Sequence, residues 1–377
     1  MRTVGVVGGG QLARMMAQAA IPLDIRLVVL AERETDAAAQ VVRDVVLGTP
    51  DDARAMHELA ECCNVITFDH ELVDTALLSR LEAEGFRVAP SAATMTLAQD
   101  KRLQRDALQR AGFPNPRFCA SDDMETALAF ATGVGFPVVV KAARGGYDGR
   151  GVWVIADESA FRDLFSDLRA RGVPPLVEEL LPLAGEIAML VARSARGESV
   201  VYPAIETVQR DGICNELRVP AMFPEHHAEA ARIASGIASL IGMVGIMAIE
   251  FFIANDTLYV NELAPRPHNS GHWTIDGART SQFEQHLRAV LDLPLGNPDL
   301  VSPQVCTVNI LGGAAEIDPR DTLEVALAVP EARIHLYGKE PRNGRKLGHV
   351  TVTGDDRETV FATAKRAVGA IESGRQD

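Results

Sequence analysis

The chain has 377 residues, more than one hydrophobic core usually serves, so two or three domains are expected. Its 47% hydrophobic and 23% charged content is ordinary for a globular protein, and no apolar run reaches the ~20 residues of a membrane span. With 37 Lys and Arg against 51 Asp and Glu the net charge is −14, which argues against a general nucleic-acid binder but leaves room for small anions held by a few local cations.

The opening Val4-Gly5-Val6-Val7-Gly8 reads as a strand entering a turn rather than as a signal peptide, so a cytoplasmic protein is expected. Apolar runs at 4–7, 25–30, 65–68 and 86–88 alternate with helical stretches at 11–20, 51–62 and 73–84. That rhythm predicts a parallel sheet with crossover helices. Cys62 and Cys63, at a helix end, join Cys119, Cys214 and Cys306 in a scattered set without a C-x-x-C pair, which suits reduced thiols. Gly8-Gly9-Gly10-Gln11-Leu12-Ala13 fits G-x-G-x-x-A between strand and helix, with Glu32 and Glu34 just past the second strand. Alone it suggests a dinucleotide site, although any anion can use the free N–H groups of a helix N-terminus.

A helical segment around Asp100, Lys101 and Arg102 leads to the boundary Gly112-Phe113-Pro114-Asn115-Pro116. A small α+β unit follows, with strands at 138–141, 152–155, 176–179 and 186–191 and helices near 123–133 and 157–170. In it, the strand ending at Lys141 precedes Arg144-Gly145-Gly146-Tyr147-Asp148-Gly149-Arg150-Gly151. A strand, glycine loop and strand form a hairpin that can close over phosphates, with Lys141 supplying charge.

Further strands, a helix near 225–240, a hairpin at 246–262 and a helix at 280–291 come next. With Asn255-Asp256-Thr257 turning about Asp256, Glu250 and Glu262 face each other; a one-residue slip pairs Glu250 with Asn261 instead. Facing carboxylates repel, so an interposed hard cation such as Mg²⁺ is expected. Arg266-Pro267-His268-Asn269-Ser270-Gly271-His272-Trp273 follows directly. Beyond Pro294 and Pro298 come strands near 304–311, 332–337 and 347–353 and a closing helix. Arg342-Asn343-Gly344-Arg345-Lys346 is either a solvated basic turn or an anion clamp.

Taken together, Gly10-Gln11-Leu12, the 145–151 loop, Asn261 through Trp273, Gly344-Arg345-Lys346 and Gly348-His349 resemble the N5-carboxyaminoimidazole ribonucleotide synthetases, a family of ATP-grasp ligases, over most of the chain. The resemblance implies a mixed α/β and α+β protein with the ATP-grasp fold. It places an N-terminal Rossmann-like (pre-ATP-grasp) parallel-sheet domain at 1–98, an ATP-grasp domain at 99–295 with a lid at about 117–180, and a small C-terminal domain at 296–377. It implies that Lys101, Lys141, Gly145, Gly146, Gly149 and Gly151 hold ATP phosphates, and that Glu178, Glu179, Leu180 and Leu181 form the hinge for adenine. Glu186 is then the acid for the ribose hydroxyls and Gln209 a further nucleotide contact, while Asn261 joins Glu250 and Glu262 around Mg²⁺, or Mn²⁺. Tyr147, Asp148, Arg150, Arg266, His268 and Asn269 border the bicarbonate and acceptor pocket. Gln11, Leu12, Glu71, Arg345 and Lys346 take 5-aminoimidazole ribonucleotide, the last two as a clamp on its 5′-phosphate.

The reaction implied is ATP- and bicarbonate-dependent carboxylation of that amine in purine biosynthesis, by a homodimer whose other partners are small molecules. One departure stands out: where many relatives carry a run like Tyr-Glu-Phe-Glu-Asn-Val-Pro, this chain has Phe68-Asp69-His70-Glu71-Leu72-Val73-Asp74, which keeps Glu71 but not its neighbours. The rival readings are a formate-dependent glycinamide ribonucleotide transformylase of the same fold, an NAD-dependent dehydrogenase resting on the first domain alone, and a regulatory nucleotide-binding module.

Overall fold

The computed structural model describes residues 1–145, 151–210 and 212–374. In the N-terminal region β1 (Arg2–Val7), α1 (Gln11–Ala20), β2 (Ile25–Ala31), β3 (Asp44–Leu47), α2 (Ala53–Cys62), β4 (Val65–Phe68) and α3 (Thr75–Ala83) give a parallel sheet in the order β3-β2-β1-β4. Its strands are apolar because both faces are covered: Val4 and Val6 pack with Leu12 and Met16 of α1, while Val7 packs with Met56 and Leu59 of α2. Asp52 and Asp74 cap α2 and α3 by accepting backbone N–H bonds. The run 86–88, expected as a strand, is reduced to a single bridge between Ile66 and Val88. Pro90, which has no N–H to donate, follows closely.

Two helices, α4 (Ala92–Gln99) and α5 (Lys101–Arg110), lead into a four-stranded sheet. It is built from β5 (Phe118–Cys119), α6 (Met124–Val134), β6 (Val138–Ala142), β7 (Val152–Ile155), α7 (Glu158–Ala170) and β8 (Pro175–Glu179), in the order β5-β8-β6-β7. Phe161, Phe165 and Leu128 of its two helices cover one face.

The remaining strands make one nine-stranded sheet. They are β9 (Leu183–Arg193), β10 (Ser199–Val201), β11 (Ile205–Arg210), β12 (Ile213–Val219), β13 (Gly245–Ala254), β14 (Thr257–Ala264), β15 (Gln304–Leu311), β16 (Arg333–Leu336) and β17 (Lys346–Gly354). The order is β14-β13-β9-β11-β12-β15-β17-β16, with β10 beside β9. The run 186–191, grouped by sequence with the small unit, belongs here as part of β9. The chain crosses from the central to the C-terminal region without leaving this sheet, because β12 pairs directly with β15. Helices α8 (Pro224–Leu240), α9 (Thr274–Gly277), α10 (Gln282–Val290), α11 (Leu323–Leu327) and α12 (Arg357–Ser373) complete the molecule. Helix α10 carries Phe283, Leu287 and Val290 into the core around α1, which fixes the first sheet against the large one. The cleft between them holds the candidate site.

Candidate active site

The glycine turn after β1 differs from the expected open anion site. The Gly10 and Ala13 N–H groups donate to Asp69 at 2.6 and 3.1 Å, so the chain's own carboxylate fills the start of α1. A Cβ on Gly10 would lie 2.1 Å from Asp69 Oδ2, which accounts for glycine there. Burial raises the Asp69 carboxyl despite His70 and those two N–H bonds. The departure at 69–70 is thus a structural cap on the turn. Gln11 and Leu12, one step along α1, line a cavity of about 1140 Å³ together with His70, Glu71 and Arg266. Glu32 and Glu34 are exposed and are not among its lining residues.

Lys141, at the end of β6, is buried. Its ammonium lies 2.8 Å from Glu178 Oε2 and donates to Asn261 Oδ1 at 3.1 Å. Arg105 Nε donates to the other Glu178 oxygen at 2.6 Å. Burial alone would raise the Glu178 carboxyl, but Arg105 and Lys141 outweigh it and hold it at about 2. Burial lowers Lys141, against the opposing pull of Glu178. Glu178 is therefore an internal counter-ion by its side chain. Glu179 pairs with Arg117 at 2.7 Å, and its N–H donates to the Arg117 carbonyl at 3.0 Å, so that amide is committed within the four-stranded sheet. Leu180 and Leu181 follow as the link to β9.

Gly145 and Gly151, at either end of the expected phosphate loop, have φ of 75° and 80°, the region that favours glycine. Gly146, Tyr147, Asp148, Gly149 and Arg150 lie outside the described residues. On β9, burial raises the Glu186 carboxyl, and the Gln209 side chain of β11 hydrogen-bonds it, which brings two predicted nucleotide contacts together.

The β13–β14 hairpin pairs Glu250 with Glu262 as expected, by a different route. The turn is the two-residue Asn255-Asp256, both with positive φ, as a tight hairpin requires. That turn alone would set Glu250 against Asn261. A bulge between Glu250 and Phe251 on one side, absorbing Asn261 on the other, restores the pairing with Glu262. Burial, then Glu262 and Glu186, raise the Glu250 carboxyl to about 7. Lys101, Lys141 and Arg266 overcome burial to lower that of Glu262. Lys101 sits 2.9 Å from Glu262 Oε1. Two facing carboxylates and an adjacent amide oxygen are a hard-oxygen donor set that suits a divalent cation.

After β14, Arg266 lies 2.8 Å from Glu71 Oε2, and Glu71 outweighs burial to raise the guanidinium. His268 Nδ1 accepts from the Ser270 N–H at 3.3 Å and contacts Ser270 Oγ at 2.9 Å; its Nε2 stands 4.0 Å from Glu250. Burial, then Arg266 and Lys346, hold His268 well below its ordinary pKa. Its ring is therefore neutral. Asn269 is 8% exposed, and its amide has no nitrogen or oxygen partner among the described residues. Trp273 is core packing, edge-on to Tyr202.

Arg342, Arg345 and Lys346 close the cavity from the β16–β17 side. Lys339 joins them, with its ammonium on Gln11 Oε1, and was missed by sequence reasoning. Its only signal was a position a few residues before the basic turn. The cavity thus joins Gln11, Leu12, Glu71, Lys101, Gly145, Glu262, Arg266, His268, Asn269, Arg345 and Lys346. Lys141, Glu178, Glu186, Gln209, Glu250 and Asn261 are not among its lining residues; Lys141 bonds Asn261, the neighbour of the lining Glu262, and Glu250 faces Glu262 across the hairpin.

Residues 1–99 match the ribonucleotide synthetase preATP-grasp domain, 106–283 the ATP-grasp domain, and 306–363 the phosphoribosylaminoimidazole carboxylase C-terminal domain. The N5-carboxyaminoimidazole ribonucleotide synthase of Mycobacterium bovis is 48% identical over 379 aligned positions, covering 99% of this chain and 88% of the relative. The chain belongs to the N5-carboxyaminoimidazole ribonucleotide synthase family. It therefore has an ATP-grasp fold with a preATP-grasp domain in front and the family's C-terminal domain behind.

Another synthase of the family, from Synechococcus elongatus, is 42% identical, over 93% of this chain and 89% of the relative. The crystal structure of the Thermotoga maritima synthetase superposes with a TM-score of 0.87 at 34% identity, covering 98% of each chain. That of the Aspergillus clavatus synthase in complex with ADP and 5-aminoimidazole ribonucleotide does so at 0.88 and 29%, covering 99% of each. Among the described residues, no helix is long and apolar enough to cross a membrane.

Proposed function

We propose that this synthase-family chain carboxylates 5-aminoimidazole ribonucleotide at its exocyclic amine, consuming ATP and bicarbonate and releasing ADP and phosphate, in purine biosynthesis. The observation that carries this reading is the single cavity in which a cationic end, with Lys339, Arg345 and Lys346 beside Gln11, faces a phosphate-transfer end at Lys101 and Glu262. His268 and Asn269 line the same cavity, with His268 Nε2 4.0 Å from Glu250. The cationic end suits the acceptor's 5′-phosphate, and the other end suits the ATP phosphates.

Bicarbonate oxygen attacks the γ-phosphorus, the bond to ADP breaks, and carboxyphosphate forms. Lys101 and Lys141 hold the charge, so that catalysis is mostly positioning and neutralisation. Bound at Glu250, Glu262 and Asn261, Mg²⁺ (or Mn²⁺) supplies further neutralisation of the phosphate oxygens. The acceptor nitrogen then attacks the carboxyl carbon, phosphate departs, and the nitrogen loses its proton. Arg266 and neutral His268 donate to the carboxyl oxygens, and the Asn269 amide orients them. Tyr147, Asp148 and Arg150 complete this end by resemblance, with Asp148 as proton acceptor. The expected setting is a homodimer in the cytoplasm.

The test is ADP release with Mg·ATP and bicarbonate, with and without 5-aminoimidazole ribonucleotide. Strong stimulation by the acceptor, lost without bicarbonate, is the expected result. Activity with formate and glycinamide ribonucleotide instead would hand the chain to the transformylase reading.

A further inference from the structure

The segment carrying Arg266, His268 and Asn269 leaves β14 and joins no ladder before α10 except at Ala278. Something else must fix its backbone. Gln282, the first residue of α10 and fully buried, meets it with every polar atom of its side chain. Its Oε1 accepts from the His268 N–H at 2.9 Å, and its Nε2 donates to the His268 carbonyl at 2.8 Å. The same Nε2 reaches His272 Nδ1 at 3.3 Å. Its backbone N–H donates to Thr274 Oγ at 2.8 Å, and that hydroxyl donates to the Gly271 carbonyl at 2.6 Å. A Cβ on Gly271 would lie 2.2 Å from Gln282 Oε1, so the loop is shaped to this amide.

We propose that Gln282 is a positioning residue for the carboxylation step, clamping His268 at both backbone polar groups so that its ring and the adjacent Asn269 amide face the reacting carboxyl group. This deepens the carboxylation reading and rests on it. An amide is the one side chain of this size that both accepts from an N–H and donates to a carbonyl and a ring nitrogen. A carboxylate of the same shape accepts but cannot donate. It would face the His268 carbonyl oxygen and His272 Nδ1, both acceptors. A carboxylic acid regains one donor.

His272 is the second half of the arrangement. Its ring stacks on His349 at 5.0 Å and on Phe283 at 5.9 Å, and its Nε2 has no partner among the described residues. Burial, then the fields of His268, Lys346, His335 and Lys339, keep it neutral. His349 is itself held neutral and contacts the Tyr337 hydroxyl, and His335 contacts Asp276. The amide donating to Nδ1 leaves the His272 proton on Nε2.

The test is Gln282→Glu, with Gln282→Met as its apolar counterpart. Melting temperature and Mg·ATP affinity, read at a site the clamp does not touch, establish that each variant is folded. At pH 8.5 both variants should lose about 100-fold in acceptor-stimulated kcat while the KM for ATP stays within about twofold, the scale of a misplaced reacting group. As pH falls toward 6, the ratio of Gln282→Glu to the unmodified enzyme should rise about tenfold, because a buried carboxyl protonates at elevated pH. The Gln282→Met ratio should stay flat.

A loss in Gln282→Glu that ignores pH, or no loss at all, would overturn the proposal. So would a rise in the KM for ATP that tracks lost stability. Nitrogen-15 spectra of the histidines need no turnover. They should show neutral His272 protonated at Nε2, and a changed state in Gln282→Glu at pH 8.5; an unchanged signal also overturns the clamp. Absence of acceptor stimulation in the unmodified enzyme would instead refute the carboxylation reading and leave these spectra to decide the clamp.

Discussion

Replacing Glu178 by Gln removes the one anion between two buried cations. Arg105 and Glu178 are 1% and 2% exposed at 2.6 Å separation, and Lys141 stands at 2.8 Å on the other side. A carboxyl held at about 2 rather than its ordinary 4.5 contributes about 3 kcal/mol of folded-state stability at neutral pH. Stranding the two cations by losing their partner costs a similar 3–5 kcal/mol, roughly. Since the folded value is depressed, this contribution is full above pH 4.5 and fades as pH falls toward 2. The variant should therefore unfold at a much lower urea midpoint at pH 7, with the gap to the unmodified chain narrowing below pH 4. Lys141, stripped of the charge that opposes its burial, should lose its proton and weaken ATP binding in parallel. Glu179→Gln is the control one residue away. Its partner Arg117 is 63% exposed, so the loss should stay under about 1 kcal/mol. Urea titrations followed by circular dichroism and tryptophan emission measure both. Equal losses in the two variants would refute the claim that burial gives the Glu178 cluster its weight.

Three further outcomes are expected. Asp69→Ala should cost about 1–2 kcal/mol by uncapping α1, and Gly10→Ala should be neutral or slightly stabilising in an Asp69→Ala background, since the clash at 2.1 Å is with that carboxylate and the φ of −81° suits alanine; thermal melts of the double-mutant cycle check this. Lys339→Met should raise the KM for the acceptor by about tenfold or more, the worth of one charge-assisted contact to phosphate, with the KM for ATP unchanged in steady-state assays. Glu262→Gln should abolish acceptor-stimulated ADP release and weaken Mn²⁺ binding measured by paramagnetic relaxation, whereas the exposed Glu32→Gln should alter neither.

Local pattern carried much of the fold. The extent of α1 and the β4 and β7 strands follows from periodicity and bounding residues, because each is decided by neighbours a few positions away. The facing of Glu250 and Glu262 was also legible, yet the bulge at Asn261 was not, since an extra strand residue has no local mark. The cap on α1 depends on Asp69, distant in sequence, and a glycine turn looks the same whether its N–H groups await a ligand or hold a side chain. Glu178 next to Glu179 shows the same limit: two identical letters, one sealed between Arg105 and Lys141, the other paired near the surface. The clamp by Gln282 was equally silent, because a glutamine at a helix start resembles any other until its partners arrive.

The hairpin between the two acids has a consequence for how such sites change over time. A three-residue tip with regular strands and a two-residue tip with one bulged residue bring Glu250 and Glu262 to the same place. The odd residue is thus free to migrate between the exposed tip and the strand interior without moving either oxygen ligand. What must be preserved is the pairing of the two acids across the strands, rather than any residue in the turn. A single insertion at Asn255-Asp256, the most forgiving place in a sheet, would only lengthen the tip and leave Glu262 opposite Glu250, whereas one inside either strand without a compensating bulge would turn an acid to the other face.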